Sequence, residues 1–413
     1  MVKRHSYPDT WSIGTLEDIC VPNGVVRGPF GGALKKEIFV PFGYKVYEQR
    51  NAIYQSVNIG SYYVNESKYR EMSRFAVKSG DYIISCSGTI GRIYQIPLTF
   101  PKGIINQALL KLTINTEKIN PTYFYKYFQW DKFQQKIIDD TQGGAMKNLV
   151  GMDVFKKAPI VLPEMKEQTA IAEALSDIDG LISSLQKLIE KKKAIKQGTM
   201  QELLTGKKRL PGFNEEWRTY KLGELGSFDK GCGISRAESN TGNFPAVRYG
   251  ELYTKHTDYV KQYYSRISGD VAQTAKRVTF GDILFAASGE TKEEIGVCAA
   301  IVDRRDIFAG GDIVVFTPTT EINPIFLGTL LNMPFAQKQK SERGQGDAVV
   351  HIHADSLSEI IVSIPEKNEQ EAIAAVIKDF NDAIEQLEKK LVKYQQIKQG
   401  MMQELLTGRI RLV

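Results

Sequence analysis

The chain has 413 residues, enough for two or three domains with cores of their own. With 42% hydrophobic and 25% charged residues it has an ordinary globular composition, which excludes a disordered or fibrous protein. The formal net charge of +6 permits an anionic partner, and no apolar run reaches the roughly 18 residues of a membrane span.

Taken from its start, the sequence shows no secretory leader in Met1 to Thr10. Four scattered cysteines (Cys20, Cys86, Cys232, Cys298) without a CxxC pair fit a reduced, cytoplasmic protein. The first domain, residues 1–163, opens at Trp11 with WSIGTLEDI. A loop-rich stretch dense in Gly, Tyr and basic residues follows. Next come a buried strand after a Gly-Asp turn (Gly80-Asp81-Tyr-Ile-Ile-Ser) and a small-residue loop at Ser87-Gly88. Asn120-Pro121 starts an aromatic-rich helix, because Asn caps a helix and Pro suits its first turn. The apolar strand Ile160-Val-Leu-Pro163 closes the domain, which is α+β.

Residues 164–206 read as one long helix. Ile171, Leu175, Ile178, Ile182, Leu185 and Ile189 step by 4, 3, 4, 3, 4, the seven-residue period of a left-handed coiled coil. Its front is acidic (Glu167, Glu173, Asp177, Asp179) and its rear basic (Lys187, Lys191, Lys192, Lys193, Lys196), which suits the helix dipole. Gly206 is the expected left-handed cap. Gly198, inside the pattern at a cost of roughly 1 kcal/mol, points to a close backbone approach or a kink.

After a linker at residues 207–212, the second domain (residues 207–365) opens at Trp217 with WRTYKLGEL. It repeats the landmarks in order: Gly281-Asp282-Ile-Leu-Phe-Ala, Ser288-Gly289, Asn323-Pro324 and Ile361-Val-Ser-Ile-Pro365. Residues 366–413 then repeat the helix. Positions 369–413 align with 167–211 without a gap, and 23 of the 45 are identical, so the chain is a tandem duplication. Ile373, Ile377, Phe380, Ile384, Leu387, Leu391 and Tyr394 keep the period, Gly400 repeats the internal glycine and Gly408 the cap. The acidic-to-basic gradient also recurs, so antiparallel pairing would set each acidic front against a basic rear. The expected fold is therefore α+β: two similar domains separated by two long helices that form an antiparallel coiled coil. Between the landmarks, residues 21–78 and 228–278 share almost no sequence, as a common frame carrying two different ligand surfaces would.

Basic residues interleaved with Tyr and amides point to nucleic acid. In the first domain these are Arg27, Lys35 and Lys36, then Gln49, Arg50 and Asn51, then Lys147 and Asn148 in a glycine loop. In the second they are Lys230, Arg236, Arg248, Tyr249, Lys276, Arg277 and Gln345. Arg and Lys suit guanine, and Asn and Gln suit adenine, in the major groove. Signals for catalysis are thin. Asn120-Pro-Thr-Tyr123 has the form of an amino-methyltransferase motif, but no glycine-rich loop after a strand accompanies it. Asp282 with Glu290-Thr-Lys292 mimics an acidic-x-Lys nuclease pattern, and His351-Ile-His353 has no third ligand nearby in sequence.

The Glu-Gln-x-x-Ile-Ala opening of each helix, the heptads and the Gln-Glu-Leu-Leu-Thr-Gly endings (from Gln201 and from Gln403) resemble the spacers of type I restriction–modification specificity subunits. The Trp/Leu/acidic domain starts, the Gly-Asp strands and the segments from Arg27 to Lys35 and from Arg248 to Glu251 are similar too. The resemblance covers essentially the whole chain. It implies a non-catalytic subunit that reads double-stranded DNA as a bipartite target through two target-recognition domains. Two methyltransferase subunits would dock on the helices, with Leu203, Leu204, Leu405 and Leu406 as the candidate contacts, and restriction subunits would join for cleavage. It implies no cofactor of the chain's own, since S-adenosylmethionine and ATP would belong to the partners. The rival expectation is a stand-alone DNA nuclease or methyltransferase.

Overall fold

A computed structural model describes residues 7–139, 148–346 and 349–413. The chain divides into two compact units. One is Met1–Leu185 with Lys390–Val413; the other is Gln186–Lys389. Each unit thus holds one domain, the front of one long helix and the rear of the other.

In the first unit, a four-stranded antiparallel sheet runs in the order Cys20–Arg27, Leu109–Ile114, Tyr82–Ser85, Ile93–Gln95. A second sheet has the order Tyr63–Val64, Tyr44–Tyr47, Gly103–Ile105, its last pair parallel. Ser12–Thr15 pairs with Pro159–Leu162 and so joins the start of the domain to its exit. The second unit repeats this plan. Gly226–Lys230, Ile313–Pro318, Ile283–Ala286 and Cys298–Ala300 follow one another in one sheet, with Asp258–Tyr259 added at its edge. Ser265–Ile267, Phe244–Val247 and Ile307–Ala309 follow one another in the other, extended by Lys276–Val278. Arg218–Lys221 pairs with Ile361–Ile364. The stretches that share almost no sequence therefore share a strand order.

The repeated landmarks have local causes. Tyr82–Ser85 and Ile283–Ala286 are buried along their whole length, hence continuous apolar runs instead of alternation. Ahead of them Gly80 and Gly281 take positive φ (86° and 98°). The next residue, Asp81 or Asp282, then closes the turn. Asp81 accepts from the Lys78 N–H at 2.8 Å and the Thr113 hydroxyl, and Asp282 from the Thr279 N–H at 2.7 Å and the Thr317 hydroxyl. Asn120 and Asn323 cap the helices Pro121–Gln129 and Pro324–Leu331 through their side-chain oxygens.

The Glu-Gln opening of each long helix is a structural device. Gln168 accepts from the Asn120 N–H at 2.8 Å and donates to the Pro163 carbonyl at 2.9 Å. Gln370 does the same with Asn323 and Pro365, both at 2.9 Å. Beside Gln168, Glu167 is buried and accepts from Trp11 Nε1 at 2.8 Å and from the Arg411 guanidinium at 2.5 and 2.7 Å. Glu369, equally buried, accepts from Trp217 Nε1 at 3.1 Å and from Arg209 at 2.6 and 2.5 Å. Residues 207–212 are therefore more than the linker their composition suggests, because Arg209 anchors there.

The long helices are Met165–Leu203 and Lys367–Leu405, each of 39 residues and followed, after a short turn, by a positive-φ glycine (Gly206, 68°; Gly408, 71°). Every heptad residue named above is buried or half-buried. Within each unit the helix segments run antiparallel, acidic front to basic rear. Asp179 pairs with Lys398 at 2.7 Å in the first unit, and Glu388 with Lys193 at 2.8 Å in the second. The expected close approach at Gly198 and Gly400 is absent: nothing lies within 4 Å of where a Cβ would sit, and the helices run unbroken through both.

The helix ends overturn one further expectation. Leu405 and Leu406, with Met402, are buried in the core of the first unit against Trp11, Leu16 and Tyr123. Leu203 and Leu204, with Met200, are buried in the core of the second against Leu222, Phe326 and Ile373. At about 1.5–3 kcal/mol per buried leucine, these side chains hold the chain's own cores together. They present no surface to another subunit.

Candidate nucleic-acid interface

The candidate residues gather where equivalent strands end. In the first domain Arg27 ends the strand Cys20–Arg27, and the next residue, Gly28, donates to the Leu109 carbonyl at 2.8 Å. A side chain at Gly28 could not be tolerated, since its Cβ would fall 1.8 Å from the Asn106 carbonyl oxygen. The Asn106 N–H donates to the Tyr47 carbonyl at 2.9 Å, and the Cys86 N–H to the Ala108 carbonyl at 2.9 Å. Three segments therefore meet on the turn at residues 106–109: Arg27, the short helix Gln49–Ile53 that follows Tyr47, and the loop from Cys86 through Gly88. Burial pushes the Cys86 thiol up to about 12, against the pull of the Arg27 guanidinium beside it.

The same bonds recur in the second domain. Gly231 donates to Ile313 at 2.8 Å, Gly310 to Val247 at 2.9 Å, and Ala287 to Asp312 at 2.8 Å. This backbone register, independent of side chains, pairs Arg27 with Lys230, Glu48 with Arg248, Gln49 with Tyr249 and Asn51 with Glu251. Two adjoining clefts share Asp312 here. Arg236, Arg248 and Tyr249 line one; Lys230, Ser288, His351 and His353 line the other. Gln345 is tied to the second by paired backbone bonds with His351, at 2.9 and 2.7 Å.

The remaining candidates divide. Lys35, Lys36 and Arg50 are exposed. Asn51 is a correction: it is fully buried, its oxygen accepts from the Glu48 N–H, and its amide donates to the Ser56 and Ile59 carbonyls, each at 2.8 Å. With its hydrogen-bonding groups used to hold the following loop, it has none left for a base. Lys276 pairs with Asp229 and Arg277 with Asp306. The Arg277 pair is well exposed, and such pairs hold weakly enough to release a cation to phosphate. Lys147 lies outside the described residues, and of Asn148 only the backbone, paired with Asp139, is described. Sequence reasoning passed over Gln107, exposed on the turn between Arg27 and Gln49, and Asp312, which both clefts share. Neither lies in a basic run, which was the signal followed.

The catalytic motifs dissolve into architecture. The Asn120 oxygen accepts from Thr122 and Tyr123, and the buried Tyr123 hydroxyl donates to the Val161 carbonyl at 2.9 Å. One carboxylate oxygen of Asp282 accepts from the turn it closes, and the other from the Thr317 hydroxyl on the neighbouring strand. His351 Nδ1 lies 3.0 Å from the Ser288 hydroxyl. No His, Cys, Asp or Glu group suited to a metal ion occurs among the described residues, and none of their helices is long and apolar enough to cross a membrane.

Residues 8–197 and 214–398 each match the model of the type I restriction modification DNA specificity domain. The chain is 24% identical over 332 residues to the type I restriction enzyme MjaVIII specificity subunit of Methanocaldococcus jannaschii, covering 75% of each protein. It is 23% identical over 428 residues to the putative MjaX specificity subunit of the same organism, covering 98% of this chain and 95% of the other. Among solved structures, its fold is similar to that of the type I restriction–modification S subunit from M. genitalium. The TM-score is 0.56 at 16% identity, over 98% of each chain.

Proposed function

The chain belongs to the type I restriction modification DNA specificity family, and we propose that residues 1–163 and 207–365 each read one half of a bipartite DNA target. It is the DNA-recognition subunit of a restriction–modification complex, without a catalytic role of its own. One observation carries the reading of two half-sites. Backbone bonds of identical register present different side chains at matching positions, Arg27, Glu48 and Gln49 in one domain and Lys230, Arg248 and Tyr249 in the other. A shared frame with different polar groups at its rim is what two different base sequences require.

Residues 164–206 and 366–413 serve as spacers on which two methyltransferase subunits dock, with restriction subunits joining for cleavage in the cytoplasm. Support for docking comes from the first helix. Leu181, Leu188 and Ile195 recur every seven residues and are all exposed, an apolar stripe that a partner helix would cover. The DNA contacts are carried by Arg27, Lys35, Lys36, Gln49, Arg50, Lys147 and Asn148 in the first domain. In the second they are carried by Lys230, Arg236, Arg248, Tyr249, Lys276, Arg277 and Gln345. Methylome sequencing of the host with and without this gene tests the proposal. A methylated motif of two parts with an unspecified gap should vanish with the gene; an unchanged methylome would contradict it.

A further inference from the structure

We propose that Gln49 determines specificity in the first domain by taking the major-groove edge of one adenine, with Arg27 donating beside it. This rests on the reading above, that residues 1–163 recognise one half-site.

Two side-chain atoms carry the inference. Gln49 Oε1 and Arg27 Nε are both shut off from solvent, and neither has a hydrogen-bond partner among the described residues. Buried polar groups are nearly always paired, so an open acceptor and an open donor on the same rim call for a ligand that supplies both complements. Of the other three such atoms among the described residues, Glu251 Oε2 and His256 Nε2 face each other at 3.6 Å, and the Tyr263 hydroxyl stands alone, away from this rim. The Arg27 guanidinium has only the weakly accepting Cys86 thiol beside it, and Gln49 Oε1 has no such internal answer.

Gln49 is free to act. The capping of its helix is done by its neighbours, since the Asn51 oxygen accepts from the Glu48 N–H. Its amide lies beside Gly88, where a Cβ would meet Nε2 at 3.8 Å, an ordinary contact, so the loop does not crowd it. The terminal torsion of a glutamine is broad, so the amide can turn outward cheaply.

Base chemistry selects the partner. A glutamine amide accepts through oxygen and donates through nitrogen, and adenine alone offers the matching N6 donor beside the N7 acceptor on one base edge. Guanine offers two acceptors there, cytosine a lone donor, and thymine a lone acceptor with a methyl group. Tyr249 holds the equivalent position in the second domain and cannot form that bidentate pair. The second half-site should therefore not be read by the same contact.

The test is methylome sequencing of cells that express this chain with its methyltransferase subunits, as the parent, as Gln49→Ala and as Gln49→Met. The expected result is that one A·T position, in one half-site only, becomes degenerate. Discrimination there should fall by about 5- to 150-fold, as for loss of one bidentate base contact. The other half-site and the gap should stay as in the parent. An unchanged motif in both variants overturns the inference, as does relaxation at a G·C pair or in both half-sites. Gln49→Met keeps the side-chain length, so loss of all methylation in both variants would mark the residue as structural and overturn it too. A parent that produces no bipartite motif would instead sink the half-site reading, and this inference with it.

Discussion

Glu167 and Glu369 show how a repeated residue that looks like surface charge can govern the interior. Each is almost fully buried, and each is neutralised by an arginine that follows a helix-ending glycine. In the first unit that arginine is Arg411, close to the end of the sequence. Removing one partner of such a pair leaves an unpaired buried charge, whereas removing both is tolerated far better. Arg411→Ala should therefore lower the thermal midpoint of the purified chain clearly. Glu167→Gln in the same background should recover much of the loss, as scanning calorimetry of the two variants would show. If the double variant is no better than Arg411→Ala, the bond network is not what secures this end of the chain. The motif Glu-Gln was legible as a repeated signature, but its purpose was not. Glu167 and Arg411 are 244 positions apart, and no local pattern links them. Asn51 was misread for a related reason. An amide directly after Gln49 and Arg50 looks like a base reader until the fold shows it tied to Ser56 and Ile59.

The long helices were the most legible elements, because a period of seven sustained over three or more turns has few other causes. Their charge gradient also gave the antiparallel sense, which the pairs Asp179–Lys398 and Glu388–Lys193 bear out within each unit. Gly198 and Gly400 were overread, since open space surrounds both. Glycine inside a helix costs about 1 kcal/mol relative to alanine. Gly198→Ala and Gly400→Ala should each stabilise the chain by about that amount, measured by urea unfolding. Destabilisation by either would show a steric need for glycine in these helices. The domain strands were the least legible elements. Many are only two to four residues long, as in Tyr63–Val64 or Phe244–Val247, too short for alternation to declare itself. Their correspondence is written in backbone bonds such as Gly28 to Leu109 and Gly231 to Ile313, which place no demand on side chains.

For the molecule as a whole, duplication is the organising fact. Two units of one plan carry unlike residues at equivalent rim positions, and the family match falls on both repeats. The division of labour between frame and rim gives each domain a reading surface of its own. Each domain's start and exit are joined, by Ser12–Thr15 against Pro159–Leu162 or by Arg218–Lys221 against Ile361–Ile364. The most direct test replaces residues 1–163 with the corresponding domain of a relative of different specificity. The methylome of cells carrying the hybrid and the methyltransferase subunits is then sequenced. One half of the methylated motif should change to that of the donor while the other half stays as in the parent. A motif altered in both halves, or in neither, from a hybrid that still methylates DNA would contradict the account.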